Sequence, residues 1–290
     1  MARLPPERRY TLYQSLKAEN KWISYINSIL LGAAQSLESD IRKLGPSGEP
    51  LSRAQLEAAR VSIKAHLNQD WSDIQQAVAA GRRDGAAAAS QVVSKYENVL
   101  LSVGMTPSEM REYADGLAQA SVARVENVLA RISSSYRPLS QQVYSTKSLT
   151  NGWVDQQINI GIARGYTAAQ LAKSVRQFIS PNTPGGASYA AKRLARTEIN
   201  NAFHATTVDR YQRSGIVEEV DWNLSSSHPE GDECDDLKDE SPYDVNFVPE
   251  KPHPLCFCFI TPHLPSRSEF IDNLLSGKYD DEDWEDSFQR

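Results

Sequence analysis

Apolar side chains recur at every third or fourth position over most of the first 145 residues, which is the spacing of amphipathic helices. The first such stretch, residues 12–44, is followed by two glycines and two prolines within 45–50. Because neither residue type continues a helix easily, the first helix is predicted to end there. Ser52 is suited to cap the N-terminus of the next helix.

The second helix contains two glycines that bear on its length. Gly81 and Gly85 either break the helix or only weaken it before a further helical stretch at 86–101. The sequence Thr-Pro-Ser-Glu at 106–109 combines a capping residue, a proline for the first helical turn and a glutamate that completes a capping box. It predicts another helix, which runs to about Ile132.

A second group of helices follows. It begins at about Asn151, continues in a short helix that Thr167 caps and that ends near Phe178, and finishes in a long helix over about 188–213. Gly215 is predicted to stop that helix, because glycine readily adopts the left-handed conformation that follows a helix end.

The pattern then changes to short β-type stretches within polar, proline-rich sequence. Val217, Val220 and Trp222 favour a first short strand, and a second strand is predicted at 256–261. The intervening loops hold too few apolar residues to fold by burial alone. This part of the chain therefore needs another source of folding energy.

Together these patterns predict a mainly α protein in four consecutive parts. An extended helical N-terminal region covers residues 1–145, and a second helical segment covers 146–215. A small, loop-rich α+β module covers 216–265. Residues 266–290 form an acidic C-terminal tail.

Charge is distributed unevenly along the chain. Residues 221–290 hold 5 basic and 18 acidic side chains, whereas residues 1–220 hold 26 basic and 19 acidic ones. The acidic part would repel phosphate, and its run at 280–286 is suited to a flexible tail or a docking strip. The mildly basic part could meet nucleic acid or an acidic protein surface, although a solvated surface with neither role accounts for its small excess equally well.

The cysteine content indicates a reducing compartment. The three cysteines lie within 25 residues, and neither their odd number nor their spacing resembles a disulfide framework. A cytosolic setting, with the thiols free or bound to metal, fits better. No stretch approaches the roughly 18 consecutive apolar residues of a membrane span, and the N-terminus lacks the apolar region of a signal peptide.

The cysteines are interleaved with histidines in a pattern that suits a metal ion. The five candidate ligands are His228, Cys234, His253, Cys256 and Cys258. Imidazole and thiolate together favour zinc, which takes four such ligands in a tetrahedron, so one of the five is surplus. Binding would close the loop between the two ligand groups and supply the folding energy that this segment lacks.

Two alternatives to a metal site stay open for the same residues. The cysteines and histidines could lie near one another by chance, or could pack internally without a metal. Cys256 and Cys258 are separated by one residue instead of the usual two. His263, which lies beyond Pro262, is the weakest ligand candidate.

A catalytic metal is a further alternative. Glu230 follows His228 by two residues, as in zinc deaminases, but the Pro-Cys-x-x-Cys half of that motif is absent from the sequence. The aspartate-rich loop at 232–239 could instead bind Mg²⁺ or Ca²⁺ for phosphodiester chemistry. The sequence contains no phosphate-binding glycine motif and no recognisable context for a nucleophilic serine or cysteine.

The long helix around residue 194 carries a set of polar residues at three-four spacing. Those on one face are Arg193, Arg196, Asn200 and His204, while Glu198 and Asn201 line the neighbouring face. Two interpretations fit this stripe equally well. It is either exposed to solvent or part of a hydrogen-bonded network that clamps the helix to the loop-rich module.

In this order, the helix and the candidate ligands resemble the phage Mu F-like minor head protein family, the head-morphogenesis family of tailed phages. The matching positions are Ala195-Arg196-Thr197-Glu198-Ile199, Asn201, Ala202, Trp222, His228, Asp232, Cys234 and His253-Pro254-Leu255-Cys256-Phe257-Cys258. The similarity covers about residues 150–265. Many family members carry two cysteines where this chain has His228 and Cys234.

The resemblance implies a low-copy virion protein on the inner side of the head near the portal, acting in head assembly and in DNA packaging or retention without catalysis. Its expected partners are the portal protein, the interior of the major capsid protein, a scaffold protein and packaged double-stranded DNA, with assembly in the host cytoplasm. The helices of residues 1–145 are expected to dock on portal or capsid. Structural zinc is the expected cofactor.

Two other functions stand beside this expectation. The first is a phage-carried, metal-dependent nucleic-acid-processing or toxin-like enzyme that uses His228, Glu230 and the cysteines around a catalytic metal. The second is a DNA-binding module that works through the basic front part of the chain, which requires lysines and arginines to gather on one surface.

Overall fold

The computed structural model of this protein describes residues 6–101, 125–132, 139–179, 185–215, 217–229, 231–264 and 266–276. Within these residues the chain is mainly helical with a small antiparallel sheet, which confirms the predicted fold class at this level. None of the described helices is both long enough and apolar enough to cross a membrane.

Eight α-helices and three strands make up the described part of the chain. The helices are α1 (Pro6–Arg42), α2 (Arg53–Leu101), α3 (Val125–Ile132), α4 (Leu139–Arg164), α5 (Ala168–Ile179), α6 (Ala187–Ser214), α7 (Glu233–Asp239) and α8 (Arg267–Leu275). The strands are β1 (Glu219–Asn223), β2 (Tyr243–Asp244) and β3 (Phe259–His263), with a short 3-10 helix at Val245–Phe247.

Local capping interactions set several of the helix boundaries that the sequence predicts. Ser52 Oγ accepts a hydrogen bond from the Gln55 amide at 3.3 Å, and Gln55 Oε1 accepts one from the Ser52 amide at 2.8 Å. Thr167 and Gln170 form the same reciprocal pair ahead of α5, at 3.3 and 2.9 Å. Gly215, with a φ of +64°, follows the end of α6 as predicted.

The two glycines in α2 do not break it, since the helix is continuous from Arg53 to Leu101. Gly85 has a packing role. A Cβ atom at this position would lie 2.8 Å from the Ile199 carbonyl oxygen of α6. The absence of a side chain therefore permits the two helices to approach closely.

Two predicted boundaries are wrong. The helix expected from Asn151 begins at Leu139, and its added turns bury Leu139 and Val143 in an aliphatic core. The strand expected from residue 256 begins at Phe259. The Cys256 and Cys258 carbonyls are bonded by the Lys251 ammonium, so they are not paired with another strand.

Several predicted features fall outside the described residues. These are the helix start at 106–109, the helix end at 133–138, part of the loop at 181–186 and the acidic run at 280–286. The described end of the predicted third helix, Val125–Ile132, is helical.

The three strands form one antiparallel sheet in the order β2-β1-β3. Along β1 and β3 the register pairs Glu219 with His263 and Trp222 with Ile260. Trp222 and Ile260 are both buried, so one face of this small sheet is covered.

The chain forms two compact units, and neither is a continuous stretch of sequence. The first unit comprises Met1–Glu19, Gly81–Tyr136 and Thr197–Arg290, and it contains the sheet. The second comprises Asn20–Ala80 and Arg137–Arg196. The second unit is held by an aliphatic core drawn from α1, α2, α4, α5 and α6, with Trp153 stacked on Phe178 at a centroid distance of 3.8 Å.

Candidate metal centre

The five predicted metal ligands come together in the first unit. His228 follows β1, Cys234 lies in the first turn of α7, and the other three occupy the loop that leads into β3. Asp232 caps α7 by accepting a hydrogen bond from the Cys234 amide at 2.8 Å. This cap holds the backbone of Cys234 in place.

The ligand atoms form two groups of three that share Cys234. One group contains His228 and Cys258, and the other contains His253 and Cys256; in each, the ligand atoms lie within 4.8 Å of one another. Cys234 Sγ lies 3.5 Å from Cys256 Sγ and 3.6 Å from His253 Nε2. Cys258 Sγ lies 3.7 Å from His228 Nδ1.

These separations are close to those expected between neighbouring ligands of a tetrahedral zinc ion. With zinc–sulfur bonds of about 2.3 Å and zinc–nitrogen bonds of about 2.0–2.1 Å, two sulfur ligands lie about 3.8 Å apart and a sulfur and a nitrogen about 3.6 Å apart. The three cysteines are buried and are not joined by disulfides. Within each group of three, the residues therefore fit such an ion in donor type and in spacing.

The thiols differ in how easily they ionise. The hydrogen bond from the Cys258 thiol, with help from the Lys251 ammonium and Cys234, lowers the pKa of Cys256 to about 5. Burial raises the pKa of Cys234 to about 12, and the interaction with Cys256 raises the pKa of Cys258. Without a cation, one thiolate is favoured over three. A bound divalent cation would supply the positive charge that the other two need.

Both histidines have their second ring nitrogen held. His228 Nε2 lies 3.1 Å from the Asp235 carboxylate, and His253 Nδ1 lies 3.0 Å from the Pro254 carbonyl oxygen. Metal-binding histidines usually have such a partner on the non-ligating nitrogen, because it sets the tautomer and the orientation of the ring.

The structure leaves the surplus among the five candidates open, because each group of three combines Cys234 with one histidine and one further cysteine. The two histidines differ in exposure. The His228 side chain is 7% exposed and that of His253 is 33% exposed, so His228 is better shielded from water. His253 Nε2 also lies 3.2 Å from an Asp232 carboxylate oxygen.

His263 is not part of the cluster. Its side chain is about half exposed, and Nδ1 lies 3.1 Å from Asp221 in β1. Of the residues in the catalytic alternative, Glu230 lies outside the described part of the chain. Asp235 accepts hydrogen bonds from the amides of Gly231 and Asp232, so its carboxylate takes part in capping α7.

The sequence patterns did not predict three contacts around the site. Asp235 completes a capping box with Asp232. The three-residue spacing of these two aspartates is the sequence signal that could have predicted it. Lys251 donates to the carbonyls of Cys256 and Cys258. Thr197 Oγ1 accepts a hydrogen bond from the Leu255 amide at 3.3 Å. Lys251 has no local sequence signal, because its partners become neighbours through folding of the loop.

The polar stripe on α6 is only partly exposed. Glu198 is buried and forms an ion pair with Arg82 of α2, which is buried too. The Asn200 side chain donates to Glu19 at 2.9 Å and accepts from Ser15 at 3.0 Å. Along the same helix Arg193 is exposed, and the two remaining members of the stripe, Arg196 and Asn201, are half-buried.

His204 links α6 to the loop before the metal site. Its Nε2 donates to the Pro249 carbonyl oxygen at 3.0 Å. Burial, aided by the nearby Lys251 ammonium, lowers the pKa of His204 to about 3, so the ring is neutral at physiological pH. A second buried ion pair, which the sequence pattern did not reveal, places Arg210 Nη2 3.0 Å from Glu97.

Comparisons with known protein families, with curated proteins and with solved structures found no match for this chain.

Proposed function

We propose that this chain is a minor head protein of a tailed bacteriophage, acting in head morphogenesis and in DNA packaging or retention near the portal. In this proposal a zinc ion pins the loop-rich segment of the first unit onto α6. The proposal rests on one observation above all. The two sequence features that carry the resemblance, the α6 motif and the His253–Cys258 loop, contact each other directly.

The contact between these features is specific and polar. Thr197, inside the α6 motif, binds the backbone of Leu255 in the ligand loop, and His204 one turn beyond the motif binds Pro249. Leu255 has a φ of +63°, a left-handed conformation that costs a residue with a side chain about 1–2 kcal/mol. A loop held in this way against a helix supports the function of a clasp.

The centre is suited to structure more than to turnover. Three buried thiols and two histidines offer enough donors to fill the four positions of a zinc ion, whereas a catalytic zinc keeps one position open for water or substrate. Other surfaces of the protein would then make the contacts needed for head assembly. We place the docking to the portal or to the inner face of the major capsid protein on the helices of residues 1–145, with scaffold protein and packaged DNA as further partners in the virion.

The docking proposal can be tested with exposed apolar residues. Tyr25, Leu31 and Val61, in α1 and α2, are 51%, 46% and 70% exposed. Replacing all three by serine should leave the protein folded and weaken its co-purification with portal or major capsid protein of the same phage at least tenfold. Phe247→Ser is the matched control, since Phe247 is 79% exposed and lies outside this region. Equal binding by the triple variant and the control would contradict the proposed docking site.

One observation favours the enzyme alternative. Ligand atoms of His228, Asp232 and Asp235 lie within 4.8 Å of one another beside the thiols, a set of donors that a hard cation could use. Metal-dependent cleavage of DNA or RNA by the purified protein, lost in Asp235→Asn, would replace the assembly proposal with this one. A steep decrease of DNA binding with salt would instead support a DNA-binding function.

A further inference from the structure

The donor atoms of the candidate metal centre form two sets that overlap in one residue. His228 Nδ1 and Cys258 Sγ, 3.7 Å apart, belong to the first set, and His253 Nε2 and Cys256 Sγ belong to the second. Cys234 Sγ belongs to both sets. The ligands of one tetrahedral ion lie about 3.4–3.8 Å from one another, so two sets that share a single residue indicate two ion positions.

The shared residue is suited to a bridging role. Cys234 is buried, and its sulfur lies 3.5 Å from Cys256 Sγ and 3.6 Å from His253 Nε2. A thiolate sulfur has more than one lone pair, so it can bind two ions at once. The Asp232 cap fixes the backbone of Cys234 between the two sets.

The Asp232 carboxylate lies between the two histidines. Its Oδ1 atom lies 3.6 Å from His228 Nδ1, and its Oδ2 atom lies 3.2 Å from His253 Nε2. An oxygen and a nitrogen bound to the same tetrahedral ion lie about 3.4 Å apart. Asp232 is outside both sets of three, so it would approach both ions from the histidine side, with one oxygen for each.

The other hydrogen bonds of the two rings leave these nitrogens without a proton. His228 Nε2 is held by the Asp235 carboxylate and His253 Nδ1 by the Pro254 carbonyl oxygen, and both partners accept hydrogen bonds. In a neutral ring the second nitrogen is then an acceptor. At each histidine this acceptor faces an oxygen of Asp232, which is an acceptor as well. Two acceptors at such a distance repel each other unless a cation lies between them.

We propose that this site binds two divalent cations of the zinc type, with Cys234 as a bridging thiolate and Asp232 as a bridging carboxylate. Two such cations carry four positive charges, which three thiolates and one carboxylate balance while both histidines stay neutral. No candidate ligand is then surplus. The remaining ligands, one thiolate and one imidazole for each ion, are Cys258 with His228 and Cys256 with His253.

This inference deepens the zinc clasp of the proposed function, on which it rests. It does not depend on the virion location. It replaces one ion by a pair that closes the same loops.

The number of ions and the bridge can be measured on the full chain. Native mass spectrometry during a zinc titration should show two ions per chain at saturation. Cadmium-113 NMR should show two signals that split each other, because two cadmium nuclei couple in this way when they share a ligand atom. Saturation with one ion, or two signals without coupling, would overturn the inference.

Substitution of one cysteine at a time assigns the two ions. Cys256→Ser should lose the ion that it shares with His253 and keep the other one, and Cys258→Ser should show the converse. Each variant should therefore bind one ion in place of two. Retention of both ions in both variants would contradict the assignment of ligands.

Asp232→Asn tests the bridging carboxylate even where a cysteine variant fails to fold. Asparagine still caps a helix, so α7 is kept, but an amide lacks the charge that the second ion needs. We expect the second ion to bind at least about tenfold more weakly in this variant. Asp236→Asn, at an exposed position of α7, is the matched control and should change the affinity less than about twofold. Equal affinity of Asp232→Asn and the control would overturn the carboxylate bridge.

The outcomes also separate this inference from the proposal beneath it. If the wild-type protein binds no zinc, both the clasp and the two-ion centre are wrong. If it binds one zinc ion, the clasp stands and the two-ion centre is wrong.

Discussion

Asp70 in α2 illustrates how burial can change the charge of a side chain. Its Oδ2 atom is buried and has no hydrogen-bond partner among the described residues. Burial raises the pKa of Asp70 to about 6, Asp73 adds to the increase, and His66 opposes it. The folded protein therefore binds a proton at Asp70 more tightly than the unfolded chain does.

This difference predicts a dependence of stability on pH. Between about 4 and about 6 the folded state holds more protons at this site than the unfolded state, so the free energy of unfolding falls as pH rises through that window. The substitution Asp70→Asn removes this loss of stability with rising pH. We expect the variant to be more stable than wild type at pH 7, by on the order of 1 kcal/mol because solvent screens a partly exposed group.

Urea unfolding at pH 4 and pH 7 checks this prediction. The two proteins should differ much less at pH 4, where Asp70 is protonated in the folded state and already partly protonated in the unfolded state. An equal decrease in the free energy of unfolding between pH 4 and pH 7 in both proteins would contradict the prediction.

At the scale of elements, α2 and α6 are joined in the first unit by two buried ion pairs of reversed polarity. Arg82 of α2 meets Glu198 of α6, and farther along both helices Glu97 of α2 meets Arg210 of α6. The pairs follow the same order on both helices, so these segments run in the same direction. Losing one member of such a pair costs about 3–5 kcal/mol, so the arrangement opposes sliding of one helix along the other.

The close approach of these helices at Gly85 leads to a prediction. Alanine has a higher helix propensity than glycine by about 1 kcal/mol, which alone would stabilise α2. A Cβ atom at position 85 would meet the Ile199 carbonyl at 2.8 Å, and this backbone atom cannot move without moving α6. We expect Gly85→Ala to destabilise the protein by about 1–2 kcal/mol net in denaturant unfolding.

Gly32→Ala in α1 is the matched control, because nothing lies within 4 Å of a Cβ atom there. It should stabilise the protein by up to about 1 kcal/mol. A stabilising effect of alanine at both positions would show that the contact at Gly85 is not restrictive.

At the scale of the whole molecule, the two units rely on different interactions. The second unit has an extensive aliphatic core. The apolar core around the sheet is smaller and includes the three cysteines themselves. Metal binding is therefore expected to contribute to the folding of the sheet and its loops, and not to the core of the second unit.

Removal of the proposed zinc ion by a chelator should affect hydrogen exchange in the sheet region and not in the core of the second unit. Amides in β1, β3 and α7 should lose protection, because the loops that hold them are no longer closed. Amides of α2 between Leu56 and Ile74, within the second unit, should keep theirs.

Cys234→Ser provides the control, since Cys234 belongs to both ligand groups. The sheet amides of this variant should already lack protection from hydrogen exchange, and the chelator should cause no further loss of protection. Unchanged protection of β1 and β3 in the chelated wild-type protein would contradict a structural zinc ion.

Local rules account for what could be predicted from the sequence. The N-caps at Ser52 and Thr167 and the stop at Gly215 depend on residues within one turn of each other, so the residue types alone indicated them. The candidate ligands were recognisable because cysteine and histidine are few in this chain and cluster in one short segment.

The contacts that only the tertiary structure specifies join residues far apart in sequence. The close approach of α2 and α6 at Gly85 involves Ile199, and the ion pair of Glu198 involves Arg82, 116 positions away. No local pattern specifies such pairs, because each is set by how whole helices pack. The alternative of a solvated stripe on α6 could not be resolved from spacing for the same reason.

The sequence by itself determined the helical character, most of the helix ends and the chemical type of the candidate metal centre, since these follow from short-range spacing and donor chemistry. Tertiary structure decided that both units are built from separate segments, that Lys251 bonds to the carbonyls of Cys256 and Cys258, and that the candidate ligands form two groups sharing Cys234. Those features depend on distances between loops, which only the packed fold defines.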